Sequence, residues 1–236
     1  MSDSARTRFS GAQLRAYRAE SWIRRAEQID CAGAQTERER RGALDDRFIA
    51  YWIALNALYG QARYRGTEGS ERTHLRTFLR FIQRTSLFDQ VRTALQEPDA
   101  RLPVAKLLGD AFLDNDNWAL WDAESFVATD ERLSSRVTAK DRESDLIELV
   151  FRLYVLRTQL FHGCAARGSS SRGKTMEYAV TLLGKLLPLF VAATRQHGGN
   201  QTFLAQPPYP PSEPGRPGPV AEAFNPITIR STQRKK

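Results

Sequence analysis

Cysteine is nearly absent from this chain: only Cys31 and Cys164 occur in 236 residues, far apart. That excludes a disulfide framework as the source of stability and fits a reducing cytoplasm. Histidine is almost as scarce. His74, His162 and His197 show no spacing with the two cysteines that completes a metal site, so neither a metal nor another cofactor is expected. No Ser–His–Asp arrangement can be read either. The start, Met1 to Arg6, lacks the apolar run of a secretory signal. The longest apolar stretches, 48–58 and 180–193, are broken by Asn56 and by Lys185 and Pro188. Both fall short of the ~20 apolar residues of a membrane span, so a cytoplasmic protein without a membrane partner is expected. There is no strand–helix alternation and no internal repeat.

What the chain does have is apolar content for a core, 41%, and a net charge of +8. The charge permits an anionic partner without naming one, since Arg-rich faces are often simply solvated.

The pattern reads as helical almost throughout. Ser10 can cap a helix towards Ile29, with Leu14, Tyr17, Ile23 and Ala26 at helical spacing. Residues 36–43 form an exposed charged stretch. A clearer helix spans 44–64, where Phe48, Tyr51, Trp52, Leu55, Leu58 and Tyr59 make an apolar stripe. Further helices are predicted over 74–96, 103–121, 144–162 and 176–196, the last interrupted or kinked near Pro188. Residues 122–140 are ambiguous, and 167–175 form a basic Gly/Ser loop. Eight of the eleven prolines lie between Pro207 and Pro226, and residues 206–236 carry five basic against two acidic side chains. Such a tail cannot bury enough apolar surface to order itself. The expectation is an all-α fold: an N-terminal helical extension over 1–39, a helical domain over 40–198, and a disordered, Pro-rich basic tail over 199–236.

Chemistry concentrates at Val155-Leu156-Arg157-Thr158-Gln159-Leu160-Phe161-His162-Gly163. Arg157 offers a permanent cationic fork suited to phosphate, and His162 the side chain most easily poised for proton transfer near neutral pH. Five helical residues differ by about 140° on the wheel and about 7.5 Å of rise, so one ideal helix does not put both on one face. Gly163 can end the helix and free the ring to turn, or a second copy can pack about a two-fold axis. The plainer alternative is that the histidine satisfies the last carbonyls and the arginine pairs with a carboxylate. Asn56, inside an apolar stripe, reads as a buried amide with partners, or else as support for Arg157. Trp52, Trp118 and Trp121 read as core aromatics.

The segment from Leu146 to Gly163 resembles the signature helix of HEPN domains, the higher eukaryote and prokaryote nucleotide-binding family, whose hallmark is an arginine, four to six residues, then a histidine. The segment from Phe48 to Gly60 resembles the aromatic helix that precedes this signature in the Apea-like branch; together they suggest coverage of about 40–197. The resemblance implies a HEPN-like helical bundle that dimerises, and a frequent activity as a metal-independent endoribonuclease. It implies that Arg157 holds the scissile phosphate and that His162 acts as acid or base in attack by the ribose 2′-OH. In the family the position after the arginine is commonly a polar residue such as Asn; here the chain departs from that with Thr158, followed by Gln159, and these two are the expected supporting residues. The family also implies a toxin or phage-defence setting, with a protein antitoxin or regulatory partner, and it includes non-catalytic members that bind RNA, nucleotides or proteins.

One further motif competes. Gly168 to Thr175 matches G-x4-G-K-T, the P-loop pattern, but needs a strand before it and further parallel strands around it. Without these, Arg167, Arg172 and Lys174 read instead as a mobile cationic loop able to hold RNA phosphates.

Overall fold

The computed structural model describes residues 11–60, 70–114, 142–163 and 166–205. These form helices α1 (Gly11–Glu27), α2 (Glu37–Tyr59), α3 (Glu71–Gln83), α4 (Phe88–Gln96), α5 (Pro98–Leu108), α6 (Arg142–Phe161) and α7 (Gly173–His197), closed by a short turn at Thr202–Ala205. No strand occurs among the described residues, so the fold class is all-α. The proline-rich stretch from 206 onward, Ser10, Cys164, Trp118, Trp121 and the ambiguous 122–140 lie outside the described residues.

Helix α2 begins earlier than its apolar stripe implies. Residues 36–43 are not merely an exposed charged stretch: Thr36 Oγ1 accepts from the Glu39 amide at 3.2 Å, and Glu39 Oε2 accepts from the Thr36 amide at 3.0 Å. This capping box satisfies two amides the first turn would otherwise orphan, which contributes about 1 kcal/mol. Helix α2 ends at Tyr59, before the expected 64, and the expected boundary between residues 39 and 40 falls inside it. Its apolar stripe is buried as read, with Phe48, Tyr51, Trp52, Leu55, Leu58 and Tyr59 all in the core.

Helix α1 buries Ile23 and Ala26 as expected and half-buries Leu14, but Tyr17 is not on its inner face. Ala12, Ala16, Ala19, Ile23 and Ala26 are buried, whereas Tyr17 is exposed. Small alanines let α1 lie close against α2 and α7. Arg15 sets the rotation: its guanidinium is buried and donates to the carbonyls of Leu58 at 3.2 Å and Gly60 at 2.6 Å, at the C-terminus of α2. The first helix therefore shares the main core.

The pattern expected over 74–96 is two helices, α3 and α4, separated by a turn at 84–87. Ser70 caps α3 by accepting from the Thr73 amide at 3.3 Å. The helix expected over 103–121 is α5, which starts at Pro98, where a missing N–H costs nothing in a first turn, and stops at Leu108. Helix α6 begins at Arg142, two residues before Ser144. Helix α7 is continuous through Pro188. By length and composition it is apolar enough to cross a membrane, but Leu182, Leu183, Leu186, Leu187 and Phe190 are fully covered by α1, α2, α4 and α5. Its apolarity is that of a core helix.

Candidate functional site

The C-terminal end of α6 carries the motif. Its last turn closes with the His162 amide donating to the Thr158 carbonyl at 3.0 Å and the Gly163 amide to the Leu160 carbonyl at 3.2 Å. Gly163 has φ +69°, the left-handed conformation expected of it, and helical residues stop one position before His162. The imidazole is therefore borne on the terminating turn, and His162 is exposed.

Arg157 sits within the helix, with 24% of its side chain exposed. Its Cζ lies 4.9 Å from the Phe161 ring centre and 5.9 Å from that of Tyr154, within cation–π range. Nη1 stands 3.6 Å from Glu71 Oε2 at the start of α3, and Nε is covered and has no hydrogen-bond partner. Glu71 collects two more groups. Tyr59 donates to Oε1 at 2.9 Å, and Tyr154 donates to Oε2 at 3.5 Å. Both phenols are pushed above their ordinary range, first by burial and then by the Glu71 charge, with Arg157 pulling the other way. The result is a carboxylate held by two tyrosines against one edge of the guanidinium, with part of the arginine left in solvent.

The supporting positions separate. Thr158 Oγ1 is turned back onto its own helix, donating to the Tyr154 carbonyl at 2.9 Å. Gln159 is 4% exposed, and its Nε2 donates to the Phe112 carbonyl at 2.6 Å, tying α6 to the 3-10 turn Ala111–Leu113. Asn56 is exposed, contrary to its reading as a buried amide, because the stripe that surrounds it in sequence points to the other side of α2. Trp52 is in the core as expected, with its ring centre 6.0 Å from that of Tyr154.

The loop before α7 is built onto α2. Arg167 donates from Nε at 3.2 Å and Nη2 at 2.5 Å to the Asp46 carboxylate. The Gly168 amide donates to Asp45 Oδ2 at 2.7 Å, and Arg41 donates to the Gly168 carbonyl at 3.0 Å. Gly168 has φ +72°, and a Cβ there would meet the Arg38 carbonyl at 2.7 Å, so only glycine fits. Lys174 donates to Glu177 Oε2 at 2.9 Å. Arg172 is half-buried, with Nη1 covered and unpartnered. The loop expected to be mobile is thus anchored to α2, while Arg167 and Lys174 make ion pairs with Asp46 and Glu177 and stay largely exposed to solvent. The P-loop reading fails on the same geometry: a helix precedes the motif, no strand surrounds it among the described residues, and its lysine faces a glutamate.

The sequence reading missed three things. Arg152, in the same helix as Arg157, is the structural arginine: it is buried and donates to Asp114 Oδ2 at 3.0 Å, Glu148 Oε1 at 2.9 Å and the Asp110 carbonyl at 3.2 Å. Glu71 carried no signal beyond its place in the first turn after Ser70. The third, a row of arginines on α3, was legible as a four-residue spacing at 72, 76, 80 and 84. Among the described residues no group of histidines, cysteines or carboxylates is arranged to hold a metal ion.

Among the described residues, fold and site are those of an all-helical protein with an arginine and a histidine towards one helix end. No protein-family model, no curated protein and no solved structure matches the chain.

Proposed function

We propose that this protein is a metal-independent endoribonuclease of HEPN type, acting as a homodimer. The observation that carries the proposal is the end of α6: an exposed His162 on the turn terminated by left-handed Gly163, with a part-exposed Arg157 in the same helix. In this reaction His162 accepts the proton of a ribose 2′-OH as the oxygen attacks phosphorus. The P–O5′ bond breaks, and the imidazolium returns the proton to the leaving oxygen. Arg157 stabilises charge developing on the phosphoryl oxygens. The exposed ring of Phe161, beside Arg157, offers a stacking or subunit contact. RNA is the required substrate, because DNA lacks the attacking hydroxyl.

The test is incubation of the purified full chain with labelled single-stranded RNA in EDTA. Expected is cleavage to 2′,3′-cyclic phosphate ends, abolished by His162→Ala and Arg157→Ala and kept by Lys174→Ala. Equal cleavage by wild type and His162→Ala would remove the mechanism.

A second reading is supported by Glu71. A carboxylate on the guanidinium competes with phosphate for it, which suits a non-catalytic HEPN-like module that binds RNA, a nucleotide or a protein. RNA binding with no turnover in wild type is the outcome that selects it.

A further inference from the structure

Helix α3 carries Arg72, Arg76 and Arg80, and Arg84 follows directly after its last residue in a helical backbone conformation (φ −92°, ψ −4°). Each four-residue step adds about 6 Å of rise and turns about 40°, so neighbours in the row adjoin while the row climbs about 18 Å and winds about 120° around the helix. Arg76, Arg80 and Arg84 are exposed and Arg72 is half-buried. Elsewhere Arg40, Arg92, Arg152, Arg167 and Arg195 hold carboxylates; among the described residues none of the four arginines of this row does. Like charges at this spacing repel and weaken a helix, and among the described residues no carboxylate offsets that repulsion. Phe151 of α6 supports the first two from beneath, with Arg72 and Arg76 Cζ at 5.1 and 5.2 Å from its ring centre.

Both ends of the row lead somewhere. At its start Arg72 follows Glu71, the residue on Arg157, and acts electrostatically on Tyr154 together with Arg157. At its other end lies a cavity of about 550 Å³ whose lining includes Arg80, Arg84, Gln196, His197, Phe81 and Phe203. Among the described residues no carboxylate lines it. Ser86 and His197 are hydrogen-bonded at 3.2 Å on its wall, and the Phe81 and Phe203 rings meet edge-to-face at 5.9 Å. Helices α3 and α7 both end here, and each C-terminus contributes about half a negative charge. Two full guanidinium charges outweigh them. The space is open to solvent and its volume falls in the range of small-ligand sites, and the lining supplies cations for phosphate, amides for base edges and rings for a base face.

We infer that the arginine row of α3 is a binding track for the phosphate backbone of single-stranded RNA, leading from the end of α6 to a cavity that takes one nucleotide. The choice of RNA as the polyanion rests on the ribonuclease reading, and the test separates the two.

Full-length protein is titrated into fluorescently labelled 2′-O-methyl oligouridine, which cannot be cleaved by 2′-OH attack, and anisotropy is read over a range of salt. The Arg76→Gln/Arg80→Gln double variant is compared with Arg24→Gln/Arg25→Gln, which removes the same charge from the exposed end of α1. Expected is at least about tenfold weaker binding for the α3 pair. Its salt dependence should be shallower by about 0.7 per lost phosphate contact, while the α1 pair stays close to wild type. Phe203→Ala should weaken binding with an unchanged salt slope. Equal losses in the two double variants, or affinity for a duplex equal to that for the single strand, would overturn the track. Wild-type protein that binds through α3 yet never cleaves natural RNA retains the track and loses the nuclease; cleavage with no effect of the α3 pair on binding does the reverse.

Discussion

At the scale of single residues, what matters is which charges are committed and which are left over. Arg157 and Arg152 look alike in sequence, yet one is enclosed by Asp114 and Glu148 and the other keeps part of its surface in solvent. Asp45 shows how burial shapes a charge that the fold uses. Its carboxyl is pushed above the ordinary 3.8 by burial, with the Gly168 amide and the Arg167 charge partly pulling it back. A carboxyl raised in the folded state contributes stability that is present below 3.8 and is lost as pH rises through its folded value. Asp45→Asn, which keeps an acceptor for the Gly168 amide, should therefore gain on wild type as pH rises from about 3.5 to 7. Urea midpoints of the two proteins measured across that range check the sign; a gap independent of pH contradicts it.

At the scale of elements, helix ends carry more of the organisation than helix interiors. Thr36 with Glu39 starts α2, Ser70 starts α3, and Gly163 stops α6 so that His162 is set on a turn. The C-terminus of α2 is stopped from outside by Arg15, whose burial lowers its pKa to about 10 although its guanidinium remains charged at neutral pH. Arg15→Met fills similar space but leaves the carbonyls of Leu58 and Gly60 without their donor. Removing a charged donor from buried acceptors should cost about 2–4 kcal/mol, read as a lower urea midpoint at constant m-value. Loss below about 0.5 kcal/mol would mean that water replaces the guanidinium.

At the scale of the whole molecule, one core joins α1 through α7, and the remaining question is how copies combine. In the proposed dimer an Arg157 can serve the His162 of the other subunit. Mixing Arg157→Ala and His162→Ala proteins after unfolding and refolding should then restore about a quarter of wild-type cleavage, since half the dimers are mixed and each has one intact pair. No recovery places both groups within one subunit. The same scale separates the two surfaces described: α6 ends in the candidate chemistry, and α3 starts beside it and runs away from it.

Residue order alone determined the all-helical class, the buried stripe of α2 and the left-handed glycine after His162, because helical periodicity and glycine's freedom are local properties. The exposure of Asn56, the alanine face of α1, the anchoring of Arg167, and the placement of Glu71 on Arg157 were decided by tertiary packing. Each depends on which distant group arrives, Arg15 on Gly60, Asp46 on Arg167, Tyr59 on Glu71. The free energy of a buried charge or donor is set by that partner and by the water it displaces, and neither is encoded in the neighbouring residues.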